Sequence, residues 1–300
     1  MLNLDNIIDL PTDKVKELND IIEHKRTELK KKNLYINRIP REDIFNILDD
    51  YCTVVFYPLP DGESNDGFHV TMPVDYNDYG EEHFVFLNTA KPKEKQIFAA
   101  AHELGHIWVE EETFWDDTLE QVLTREKKEN VDAVMNRFAA ELLMPGEIFL
   151  RSANALFQRF DTGDHKISYI DLFRAIASLM DEFCVPAQAV ICRFYEVQLL
   201  GKNVCQELLT GPTDQKLPID YSDFFGEMVK QCVREGGYTD LLKSSEKRGI
   251  RDFPEVLNEV EQKGLFSEQT IAQLREVLDL PKIRGEGEVP MAPINIRETE

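Results

Sequence analysis

Residues 96–108, QIFAAAHELGHIW, carry the pattern from which the rest of the chain is read. They lie in a predicted helix, Lys93–Glu110, with two histidines four positions apart. On a helix, residues four apart advance about 400°, so His102 and His106 sit one turn apart on nearly the same face. Two neutral imidazoles so placed can share a zinc ion at about 2.0–2.1 Å. Glu103 is turned about 100° from His102, which sets it beside the metal instead of on it. That is where a general base for a zinc-activated water belongs. Ala99, Ala100, Ala101 and Gly105 are small enough to let another element approach closely.

A tetrahedral zinc with an open catalytic position needs a third protein ligand, and the next buried helix is its natural source. That helix is predicted at about Asn130–Met144 and stops at Pro145-Gly146. Asp132 and Asn136 share a face, and Glu129 lies three positions before Asp132 on that side. Val131, Val134, Met135, Phe138 and Leu142 form the opposing core stripe. Asp132 is the candidate ligand, Glu129 the alternative, and the Asn136 amide is placed to orient a ligand imidazole.

Upstream of the histidine helix, the segments Cys52–Tyr57, Gly67–Met72 and His83–Asn88 are β-branched or aromatic and are separated by turn residues. Three strands feeding one helix predict an α+β fold, not a doubly wound sheet. Residues 12–33 read as an exposed helix whose basic end, including Lys25 and Arg26, is a solvated face; Arg41–Asp50 is a short helix. Downstream, Gly146–Phe157, Ser168–Phe183 and Pro186–Leu200 read as helices, Gly201–Leu217 as linker, and Asp220–Leu280 as further helices broken at Gly236-Gly237. The expected organisation is an N-terminal helical extension (1–40), a compact metal-binding domain (41–200), a C-terminal helical domain (201–280) and a tail (281–300). His69, on a predicted strand, and His83 are candidates to approach the site, though the preferred reading is of solvated or core histidines. His165 lies in a loop, and no residue is identified to stabilise an oxyanion.

The 300 residues hold 34 basic and 56 acidic side chains, a formal charge of −22. Such a surface repels phosphate backbones, and Arg193, beside Glu196, makes no DNA-reading face, so direct nucleic-acid binding is not expected. The acidic segment 110–120 suits a basic partner. Five scattered cysteines without a Cys-x-x-Cys pair read as reduced thiols. With no signal peptide and no apolar run of about 20 residues, the expectation is a cytoplasmic protein that does not enter membranes. The oligomeric state is left open.

AAAHELGHIW, followed some 25 residues on by MNRFAAELLMP, resembles the ImmA/IrrE family of zinc metallopeptidases, a compact gluzincin-like group. The resemblance covers roughly residues 41–200. It implies a zincin-like fold with Zn2+ held by His102 and His106, and Glu103 as catalytic base. The family's glutamate ligand falls on Asp132 and its asparagine on Asn136. Asp132 is one methylene shorter than that glutamate, and Met135 replaces a small alanine. The second helix must therefore come closer by about 1–1.5 Å, or Glu129 takes over. The implied function is regulatory proteolysis of an intracellular protein such as a helix-turn-helix repressor. The alternative is a non-catalytic zincin-fold module that binds or senses, and regulates its partner by complex formation.

Overall fold

The computed structural model describes residues 10–32, 38–58, 66–72, 82–110, 114–115, 119, 128–160, 167–211, 221–244, 253–264 and 266–277. Within them the fold is α+β: one three-stranded sheet among 11 α-helices. The strands are β1 (Thr53–Tyr57), β2 (Gly67–Met72) and β3 (Glu82–Asn88), within a residue of their predicted bounds. Their order is β1-β3-β2, with β3 central, parallel to β1 and antiparallel to β2.

Two helices precede the sheet, α1 (Thr12–Lys31) and α2 (Asp43–Asp49). The sheet leads into α3 (Lys93–Glu110) through a turn in which Asn88 Oδ1 accepts the Ala90 backbone N–H at 3.0 Å. Val85 and Leu87 of β3 are fully buried, and the sheet packs along α3 where its residues are smallest. At Gly67 a Cβ would lie 3.0 Å from the Phe86 carbonyl oxygen and 3.3 Å from Ala99 Cβ, so glycine lets β2 settle onto the helix. An ion pair between Lys93 and Glu42 ties α2 to the start of α3.

The next helix, α4 (Lys128–Leu143), crosses α3 at Gly105. A Cβ there would meet Phe138 Cδ1 at 2.9 Å and Met135 Sδ at 3.0 Å, closer than real Cβ contacts come. Trp108 stands edge-on to Phe138 at 5.9 Å beside this crossing, and both are fully buried. Gly105→Ala is therefore expected to push α4 outward, costing about 1–3 kcal/mol of stability. Because α4 carries Asp132, the same variant should bind metal more weakly than wild type. Urea denaturation and a metal titration on one preparation check both effects.

Helices α5 (Gly146–Phe160), α6 (Tyr169–Phe183) and α7 (Ala187–Glu196) follow α4 and contribute to the same core. The expected linker after residue 200 is instead helical over much of its length: α8 spans Lys202–Thr210. Cys205 and Leu208 are fully buried at three-residue spacing, an apolar stripe too short to stand out among polar neighbours. Helix α9 (Tyr221–Gly236) ends where Gly237 takes a φ of +79°. Helices α10 (Phe253–Gln262) and α11 (Glu268–Val277) follow. The chain divides into two compact units, Met1–Arg251 and Asp252–Glu300. Within the second, Arg275 reaches Asn258 and Glu261. The expected tail, 281–300, lies outside the described residues, as does His165.

The basic end of α1 is not a solvated face. Lys25 and Arg26 are buried, and Leu18, Ile22 and Leu29 join the main core. Arg26 Nη2 donates to the Leu142 carbonyl at 3.3 Å and to the Arg38 carbonyl at 2.8 Å, while Nη1 pairs with Glu23. Helix α4 has no basic residue in its own last turn. Its unpaired C-terminal carbonyls are served from outside, Leu142 by Arg26 and Met144 by Arg193 Nε at 3.0 Å. Arg193, on α7, is buried and also grips Glu141 of α4 through both terminal nitrogens, at 2.9 and 2.6 Å, and Glu196 at 2.9 Å. Arg137 completes the group on Glu141 at 3.0 Å. Burial alone would raise the Glu141 pKa; Arg193 and Arg137 outweigh it and hold the carboxyl below its ordinary range.

All five cysteines are free, Cys52 half-buried and the others buried. Burial pushes the Cys52 thiol up to about 12 and the Cys184 and Cys205 thiols to about 11, so these are inert packing groups and not nucleophiles. Among the described residues, no single helix is long and apolar enough to cross a membrane.

Candidate metal centre

The crossing of α3 and α4 brings the sequence candidates together. Ligand atoms of His102, His106 and Asp132 all lie within 4.8 Å of one another, and each residue is half-buried. The two histidine rings, one helical turn apart, stand 5.2 Å between centroids at 63°. Asp132 comes from α4, which crosses α3 at Gly105. Glu129 lies in the first turn of α4, and its side chain is outside the described residues.

Asn136 and Asp132 flank His102 from one face of α4. His102 Nδ1 is 2.9 Å from Asn136 Oδ1. An amide oxygen can only accept, so Nδ1 carries the proton and the Nε2 lone pair is left for a metal. That Nε2 faces Asp132 Oδ1 at 4.0 Å. Two ligands of a tetrahedral zinc stand roughly 3.4 Å apart, so closing the gap requires Asp132, which is 40% exposed, to swing inward by less than about 1 Å. Two imidazoles, that of His102 with its tautomer fixed by Asn136, and one carboxylate form a donor set that suits zinc, and the residues fit such an ion.

Glu103 is 5% exposed and is not among the three clustered donors, in keeping with its rotation about the helix from His102. A cleft of about 270 Å³ opens over His102, Glu103, Asp132 and Asn136. Asp66, Gly67, Lys95 and Phe98 line one side of it, and Pro186 and Gln188 from the start of α7 the other.

The two strand histidines contact one another. His69 Nε2 lies 2.8 Å from His83 Nδ1, and the His69 ring is 6.0 Å from that of His106. Burial, with His83 adding to it, lowers the His69 pKa to about 4, so its ring is neutral at neutral pH. The approach of His69 to the cluster depends on how β2 pairs with β3.

Residues 50–195 match the Peptidase_M78 family model, described as an IrrE N-terminal-like domain. Among curated proteins, none matches the chain. Both helices that assemble the donor cluster fall inside the matched stretch, so residues 50–195 are similar to the IrrE N-terminal-like domain, a likeness that supports a role of the metallopeptidase type.

Proposed function

We propose that the protein is a zinc-dependent endopeptidase in which Glu103 is the general base. The observation that carries this reading is the convergence of His102, His106 and Asp132 within 4.8 Å, with a buried carboxylate one residue along from the first ligand. Zinc, when bound, lowers the pKa of a water molecule toward about 7 and polarises the scissile carbonyl. Glu103 takes the proton released by the attacking water and passes it to the leaving nitrogen. Asn136 holds the His102 tautomer through Nδ1, so its Nε2 remains a ligand. Asp66, Lys95 and Phe98 meet the substrate chain along the cleft.

The substrate class is a regulatory protein of the same cell, such as a helix-turn-helix repressor. The resemblance of HELGH and NRFAAELLMP to the ImmA/IrrE peptidases supports this reading, and the charge of −22 favours a basic partner. The test is to incubate the zinc-loaded protein with a candidate repressor and read the products by mass spectrometry. Cleavage at a defined bond, abolished by chelation, is the expected result. Stoichiometric zinc and a tight complex with no cleavage would instead establish a regulatory binding module.

A further inference from the structure

A peptidase reads its substrate through the side chains that meet the chain on either side of the bond being cut. In the cleft over the donor cluster, Lys95 is the one lining residue that carries a full positive charge at neutral pH. It is half-buried and makes no ion pair among the described residues. We propose that Lys95 is a specificity residue that takes a carboxylate side chain of the substrate, an inference that rests on the peptidase reading above.

Helical geometry places it. Lys95 precedes His102 by two turns of α3, which brings the two residues to within about 20° of one face. Phe98 and Ala99 lie between them on that face, and all four line the cleft. Phe98 is 8% exposed and Ala99 7%, so the floor leading away from the candidate ligand is apolar until it reaches the ammonium. The axial separation is about 10 Å, and an extended chain advances about 3.3–3.6 Å per residue. The substrate's acid therefore falls about two to four residues from the cleaved bond.

The neighbouring charges leave Lys95 available. Glu94, next to it in the chain, is buried, and its Oε2 has no hydrogen-bond partner among the described residues. Burial pushes the Glu94 pKa up to about 7; Lys95 pulls it down and Asp66 pushes it up, so both charges stand near this end of the cleft. Asp66 opposes an incoming carboxylate and weakens the preference. It sits at the foot of β2, where its backbone carbonyl accepts the Asn88 N–H at 3.0 Å, and its side chain is short. The lysine ammonium, on a flexible four-carbon stem, can turn from Asp66 to the substrate. A partner that is basic as a whole still suits the charge of −22, which governs encounter, while Lys95 reads one position of the segment that enters the cleft.

A synthetic peptide library carrying every residue type at each position, incubated with the zinc-loaded protein and read by mass spectrometry, tests this. The wild type is expected to favour an aspartate or glutamate by about fivefold at one position about two to four residues from the cut, the upper range for an ion pair that keeps part of its water. Lys95→Gln should lose the preference, Lys95→Glu should turn it toward lysine and arginine, and Asp66→Asn should sharpen it. Zinc content should stay at the wild-type level in these variants, since neither residue is among the three clustered donors. An acidic preference absent from the wild type, or left intact by Lys95→Gln, overturns the proposal. Loss of zinc from Lys95→Gln also overturns it, because the residue would then serve the metal site and not the substrate. A zinc-loaded wild type that cuts no peptide removes the peptidase reading itself, a failure distinct from the other two.

Discussion

Glu103→Gln is expected to retain one equivalent of zinc and to lose peptide hydrolysis by about 10²–10⁴-fold, the usual worth of a positioned general base. The substitution preserves shape and hydrogen-bonding reach while removing the only property the role requires, a basic oxygen. Glu103 is not among the three clustered ligands, so metal content should be unchanged. His106→Ala is the counterpart. It leaves His102 and Asp132 on opposite sides of a 4.0 Å gap with no third donor, so both metal and hydrolysis should go. Metal analysis after gel filtration, paired with product detection by mass spectrometry, separates the two outcomes. Undiminished cleavage by the Glu103 variant would remove it from the mechanism.

The second large effect concerns stability. Arg193→Met strands Glu141 and Glu196 in a buried group that their remaining partner, Arg137, cannot neutralise alone. Breaking such a pair from one side costs about 3–5 kcal/mol. Arg193→Lys keeps a charge but cannot make the two-pronged contact with Glu141 together with the bonds to Glu196 and Met144, so it should fall between. The pH dependence has a definite sign. Glu141 has a depressed pKa in the folded protein, so the stability it contributes is complete above the ordinary carboxylate range and fades as pH falls through its lowered value. Urea denaturation at neutral and acidic pH should show wild type losing this share in acid, with the gap between wild type and Arg193→Met narrowing there. A full-strength difference at low pH would show that the loss is one of packing and not of charge pairing.

Local pattern carried the reading of α3, α4 and all three strands, because helical spacing and strand composition between turn residues are short-range signals. The candidate ligands on α3 followed from helical spacing and its sequence context. Asp132 required one further step, that the next buried helix must pack on the first. What failed were features set by distant partners. Lys25 and Arg26 read as solvent-facing because a charged helix end usually is, yet α4 needed donors for its C-terminal carbonyls and took one from α1. Arg193 carried no signal of its own, since its partner Glu141 is 52 positions away. Strand order has no local signature either, so the central place of β3 could not be read in advance.

The two guanidinium groups that close the end of α4 have a consequence for how the molecule can be cut. The family-matched stretch starts at residue 50, beyond α1, and stops at 195, two positions past Arg193. A fragment trimmed to those limits keeps His102, His106 and Asp132 but forfeits Arg26 and the apolar cover of Leu18, Ile22 and Leu29. The smallest autonomous piece is therefore larger than the conserved outline suggests, because the N-terminal helix works as a brace for the aspartate-bearing one.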